Sequence, residues 1–235
     1  LPFSKIGEID ADKASHLLVT GCLEEIKLLM EIAHKNDITL GIIPTSEQKE
    51  LKRTFDLPNN TEDAIALALR ASEQKLDVLC CNGTIVLQEV VIGDAPPLDQ
   101  FDTTLKGKTF FDRIKLFWLT LKKVKALKHT QMKITDAKEN EIKLSAVGVV
   151  GVEYNNATFA ARLISSQLSA NDGKLSIVIL SPTSMMQYIS YLFKALVSSL
   201  TPTHLPTSVG YMSSKKITIE TKEPLSVRID SQNSE

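Results

Sequence analysis

"GIIPTSEQKELKRTFDLP", residues 41–58, decides how this chain of 235 residues is read. An apolar run ends at Pro44, a polar turn follows, the next stretch has helical composition, and Pro58 closes the step. Proline neither donates to a sheet ladder nor continues a helix, so the two prolines bracket a strand, a turn and a helix. Glu47, Lys49, Glu50, Lys52, Arg53 and Asp56 are charged, and no glycine lies between Gly41 and Gly83. Glycines let backbone N–H groups close around a phosphate, and a turn of this composition lacks them.

Outward from that stretch, strand and helix alternate. "HLLVT" (residues 16–20) is a short apolar strand. In residues 22–35, Leu23, Ile26, Met30 and Ala33 recur at helical spacing. "ITLGIIP" (38–44) is a second buried strand, and residues 46–55 and 60–74 read as helices. Asn60 caps the last of these, with Glu62 and Asp63 in its first turn, where the helix dipole favours carboxylates. Strand–helix–strand–helix at this spacing implies a parallel sheet. Two strands do not make a stable α/β layer, so this part reads as incomplete on its N-terminal side.

From residue 77 the pattern changes. Residues 76–93 read as two strands around a turn at Asn82–Gly83, a strong hairpin signal. Residues 129–156 read as strand, turn, strand; residues 173–180 alternate; residues 215–230 read as a last hairpin. The expected fold class is α/β plus all-β. Residues 1–76 form a partial parallel α/β domain, and residues 77–235 form an antiparallel β-sandwich with inserted helices.

Composition narrows the function. Hydrophobic residues make up 43% and charged residues 23%, with a formal net charge of −1, so no basic excess argues for nucleic acid. Cys22, Cys80 and Cys81 are odd in number and fit a reducing, cytoplasmic compartment better than a disulfide scaffold. His16, His34, His129 and His204 share no metal-like spacing with them, so no zinc site is expected. The most apolar long window, residues 185–200, contains Lys194 and reads as a buried amphipathic helix rather than a membrane span.

Four stretches in order carry a family resemblance. Pro44, Arg53, Phe55, Leu57 and Pro58 sit in "LGIIP…RTFDLP"; Asp77 opens the second part; "SANDGKLSIVIL" covers residues 169–180; and "VRIDSQ" covers residues 227–232. Together they resemble the diacylglycerol kinase-like bacterial lipid kinases, relatives of sphingosine kinases and NAD kinases. The resemblance spans nearly the whole chain and implies phosphoryl transfer from ATP to a lipid hydroxyl, with Mg²⁺ held by acids. It places the nucleotide loops at Gly21, Cys22, Ser46, Glu47, Lys49 and Glu50, the metal acid at Asp172, and the catalytic positions at Asp77, Asp230 and Gln232.

Those positions depart from the family pattern. Of the first glycine-rich loop only Gly21 remains, with Cys22 in the aspartate position. In the second loop, Ser46 and Glu47 replace glycine and threonine, and Lys49–Glu50 replace asparagine–aspartate. A carboxylate at Glu47 adds negative charge where a triphosphate needs it neutralised. Gln232 replaces the glutamate base, and loss of a positioned base costs on the order of 10²–10⁴-fold in rate. Two readings stand. One is a pseudokinase that binds a lipid or other ligand, or acts in regulation, with ATP and Mg²⁺ no longer used. The other is an active lipid kinase in which Asp77, Asp172 and Asp230 hold the metal and Lys49 contacts phosphate.

Residues 106–128 add a basic amphipathic pattern. Phe110, Ile114, Phe117, Leu121, Val124 and Leu127 make one apolar helical stripe, beside Trp118 and a basic face that includes Lys122, Lys123 and Lys125. It is a core helix with a basic outer face, a helix that lies on an anionic membrane surface, or a helix that meets a partner protein. The expected location is cytoplasmic, with peripheral membrane contact on the second of these readings. The incomplete parallel sheet also offers an edge for self-association into a homo-oligomer.

Overall fold

The computed structural model describes residues 15–45, 48–70, 73–94, 128–154, 160, 161, 164, 167–182, 187, 209–230 and 232–234. The chain divides into two compact units, Leu1–Leu87 and Gln88–Glu235.

In the first unit the alternation expected from sequence is present. Strand β1 (His16–Val19) leads to helix α1 (Leu23–Lys35), strand β2 (Thr39–Ile42), helix α2 (Lys49–Thr54) and helix α3 (Thr61–Arg70). β1 and β2 pair in parallel, Leu18 opposite Gly41 and Val19 opposite Ile42. Side chains alternate across a strand, so the pair has two distinct faces. One face contributes Val19 and the partly buried Leu17, Leu40 and Ile42 to a core completed by Ile26 and Leu29 of α1 and Leu51 of α2. The other face carries Gly41, where an added Cβ would lie 2.6 Å from Leu18 Cδ2 and 3.0 Å from Ala68 Cβ. The missing side chain at Gly41 is what lets α3 approach the sheet.

The hairpin at Asn82–Gly83 joins β3 (Leu79–Cys81) to β4 (Thr84–Val86). Both turn residues have positive φ, 49° and 84°, as a two-residue turn of this twist requires. Ile85 and Leu87 pack into the α1–β1 core. The strand expected to continue to residue 93 is interrupted. Residues 87–89 leave the ladder, and β5 (Val90–Gly93) joins a different sheet.

The second unit is a sandwich. Its further strands are β6 (Thr130–Asp136), β7 (Glu141–Ala146), β8 (Gly148–Val152), β9 (Leu175–Leu180), β10 (Val209–Ser214), β11 (Ile217–Thr221), β12 (Val227–Ile229) and β13 (Gln232–Ser234). Six form an antiparallel sheet in the order β10-β9-β8-β5-β12-β13, and three form a second in the order β11-β6-β7. Met132 and Ile134 of β6 meet Val149 of β8 and Ile177 and Ile179 of β9 between the sheets. The reverse face of the larger sheet buries Val150, Val152, Val178 and Leu180 with Ala160, Ala161 and Ile164.

Two expectations are corrected here. β9 is covered on both faces, so its central residues are all buried although the sequence alternates in character. Residues 215–230 are not a hairpin: β11 pairs with β6, while β12 pairs with β5 and β13. A chain that crosses from one sheet of a sandwich to the other cannot pair with itself, whatever its local alternation. The terminal hairpin is β12–β13.

Candidate functional site

The first candidate lies where β1 ends and α1 begins. Cys22 is the residue that caps α1, and its N–H donates to Glu25 Oε2 at 2.7 Å. A helix N-terminus presents unpaired N–H groups and a positive dipole end, which is what anion-binding loops exploit. Here the chain supplies its own carboxylate three residues on, as in a capping box, with Glu24 beside it. A Cβ at Gly21 would collide with that same Glu25 carboxylate. The Cys22 thiol sits above its ordinary range. The Glu25 backbone N–H draws it down, but desolvation and the Glu24 and Glu25 side chains outweigh it. A thiol shifted upward in this way is not poised as a nucleophile at neutral pH.

Gln48, at the start of α2, reaches across to this loop. Its side-chain amide donates to the Gly21 carbonyl and its Oε1 accepts the Thr45 N–H at 2.9 Å. One side chain therefore ties the turn after β2 to the turn after β1. Lys52, nearly buried, donates to the Asn59 carbonyl at 2.8 Å. Sequence reading assigned none of these roles. Glu25 was legible as the fourth residue of a Cys-x-x-Glu cap; Gln48 and Lys52 carry no local signal, because their partners lie in other loops. Ser46 and Glu47, and the side chains of Lys49 and Glu50, fall outside the described residues.

The remaining site residues belong to both units. Asp77, half-buried, lies in the irregular stretch before β3 in the first unit. Asp172 is exposed in the turn that enters β9, where its Oδ1 accepts the Lys174 N–H at 3.0 Å and Gly173 follows at φ 69°. That is an Asx turn, a local structural use of the carboxylate. Asp230 is 5% exposed, at φ 48°, and its Oδ1 accepts the N–H groups of Gln88 at 2.6 Å and Glu89 at 3.1 Å. Gln232 follows on β13, its backbone opposite Ile229. Among the described residues, no three histidine, cysteine or acidic side chains converge as a metal ion would require.

Burial raises the thiols of Cys80 and Cys81, with Glu31 adding to the first and Cys80 to the second, so neither is poised as a thiolate. Trp118, Lys122, Lys123 and Lys125 lie outside the described residues. Among those described, no helix is long and apolar enough to cross a membrane.

No protein-family model matches the chain, and no curated protein matches it. Solved structures do. A crystal structure of a diacylglycerol kinase from Bacillus anthracis str. Sterne aligns with a TM-score of 0.68 at 22% identity, covering 99% of this chain and 75% of that one. A crystal structure from the same organism, provisionally designated a diacylglycerol kinase, aligns at 0.67 and 21% identity, covering 99% and 77%. A further structure with that designation aligns at 0.65 and 21%, covering 95% and 74%. The short parallel sheet with its helices and the antiparallel sandwich are together the diacylglycerol kinase-like fold, carried here by a divergent sequence.

Proposed function

We propose that this lipid-kinase-like protein is a pseudokinase. It keeps the fold, no longer seats Mg-ATP, and binds a lipid or another ligand or acts in regulation. The observation that carries this reading is the Cys22 N–H held by the Glu25 carboxylate at 2.7 Å, in the loop the resemblance assigns to phosphate. A phosphate there must displace an internal anion and approach two acidic side chains in the first turn of α1. Gln48 supports the reading, because its bonds to Gly21 and Thr45 hold the two loops to each other instead of leaving both open to a ligand. Gln232 in the base position supports it from the sequence. Residues 106–128, with Trp118, Lys122, Lys123 and Lys125, are the segment we assign to contact with an anionic lipid surface.

Calorimetric titration with Mg-ATP tests the reading. The expected result is no saturable heat. A micromolar Kd, or transfer of labelled phosphate to diacylglycerol, overturns it.

A further inference from the structure

The β12–β13 hairpin turns tightly at Asp230, because Ile229 pairs directly with Gln232. Such turns need a left-handed residue, which aspartate tolerates better than most, and Asp230 sits at φ 48°. Its side chain is buried. Oδ1 takes the N–H groups of Gln88 and Glu89, and the Asp230 N–H returns to the Glu89 carbonyl at 2.9 Å. Three hydrogen bonds thus join residues some 140 positions apart, at the segment where the chain leaves the ladder between β4 and β5. At the other end of the β5–β12 pair, Gly93 N–H donates to the Ser226 carbonyl at 2.8 Å and Ser226 Oγ donates to the Gly93 carbonyl at 3.1 Å, so β12 is fastened to β5 at both ends.

We propose that Asp230 is a positioning residue: a carboxylate clasp that fixes the β12–β13 turn, and with it residue 232, to the Gln88–Glu89 backbone, rather than a ligand for a divalent cation. The clasp answers a need that the fold creates. Where β4 and β5 part into different sheets, two successive, partly buried N–H groups are without ladder partners and take a side-chain acceptor instead. One carboxylate oxygen has the lone pairs to accept both. The inference stands independently of whether the nucleotide loops bind anything.

Three variants test it, read by thermal unfolding, by amide exchange at Gln88 and Glu89, and by addition of MgCl₂ alone. Asp230→Ala removes the acceptor and places a strained residue in the turn. It is expected to lower the unfolding midpoint by about 5–15 °C. Asp230→Asn keeps an oxygen acceptor and the left-handed preference, and is expected to stay within about 4 °C of the parent. Asp230→Gly keeps the turn without strain and lacks the acceptor. Amide exchange at Gln88 and Glu89 is expected to rise roughly tenfold or more in it, whether or not the alanine variant folds. Mg²⁺ is expected to shift the parent and Asp230→Asn equally. The proposal is overturned if exchange at the two amides is unchanged in Asp230→Gly. It is also overturned if Mg²⁺ stabilises the parent and that gain disappears in Asp230→Asn.

Discussion

Replacing Glu25 by alanine separates the two roles of its carboxylate, which have opposite signs. Within the fold, Glu25 Oε2 satisfies the Cys22 N–H at 2.7 Å and places negative charge at the positive end of the 13-residue helix α1. A cap of this kind stabilises by about 1 kcal/mol. For a cooperative unit of roughly 60–100 residues, 1 kcal/mol corresponds to about 4–8 °C in the unfolding midpoint. Glu25→Ala is therefore expected to melt about 4–8 °C below the parent, and Glu25→Gln, which keeps an acceptor oxygen, within about 3 °C of it. Toward an external anion the carboxylate acts in reverse. An anion at a helix N-terminus gains about 0.3–1 kcal/mol, so freeing that end raises phosphate affinity by only a factor of about 2–5. Titration with inorganic phosphate at low salt is expected to give weak, salt-sensitive binding to Glu25→Ala, and binding weaker by a factor of about 2–5 to the parent. The reasoning is refuted if Glu25→Ala melts with the parent. It is equally refuted if the parent binds phosphate as tightly as Glu25→Ala does.

Two other expectations follow from particular contacts. Gly93 has φ 90°, and an added Cβ would lie 2.8 Å from the Val147 carbonyl oxygen and 3.3 Å from Gly148 Cα, backbone atoms where the chain enters the adjacent strand β8. Gly93→Ala is expected to destabilise by about 1–3 kcal/mol in urea unfolding, with an unchanged m-value; a midpoint equal to the parent's would show that β5 and β8 can separate freely there. Asp136, in the β6–β7 turn, is held below the usual carboxylate range by the Asn140 side chain, then by the Asn140 backbone N–H, with Lys138 contributing. A depressed folded-state pKa gives stability that is fully present above the unfolded value of about 3.9 and is lost as pH falls through the folded value. Asp136→Ala is expected to flatten the acid limb of the stability curve below about pH 4 while the neutral region falls uniformly; parallel acid limbs for parent and variant would remove Asp136 as a contributor.

Local chemistry was legible wherever it is self-contained. The α1 stripe of Leu23, Ile26 and Ala33, the Asn82–Gly83 turn and the Pro44 stop each rest on residues within a few positions of one another, and each element formed where it was expected. The order of strand and helix was enough for the parallel pair β1–β2, because a crossover helix carries the chain back to the end of the sheet where the first strand began. Residues 41–58 could also be read as poor in glycine, a property of composition that no tertiary contact alters.

Pairing partners could not be read in this way. Whether β11 meets β12 or β6, and whether β4 runs on into β5, depends on which sheet completes each ladder, and alternation is the same in either case. Side-chain roles were hidden for the same reason. Asp172 and Asp230 look alike in sequence as acids beside a turn. One bonds an N–H two residues away, and the other bonds two N–H groups more than a hundred residues distant. A carboxylate's partners follow from where the folded backbone leaves N–H groups without a ladder. The sequence therefore settles which short elements can form, through periodicity and backbone preference. Only the tertiary structure decides which acid becomes a clasp, because that depends on which strands part company.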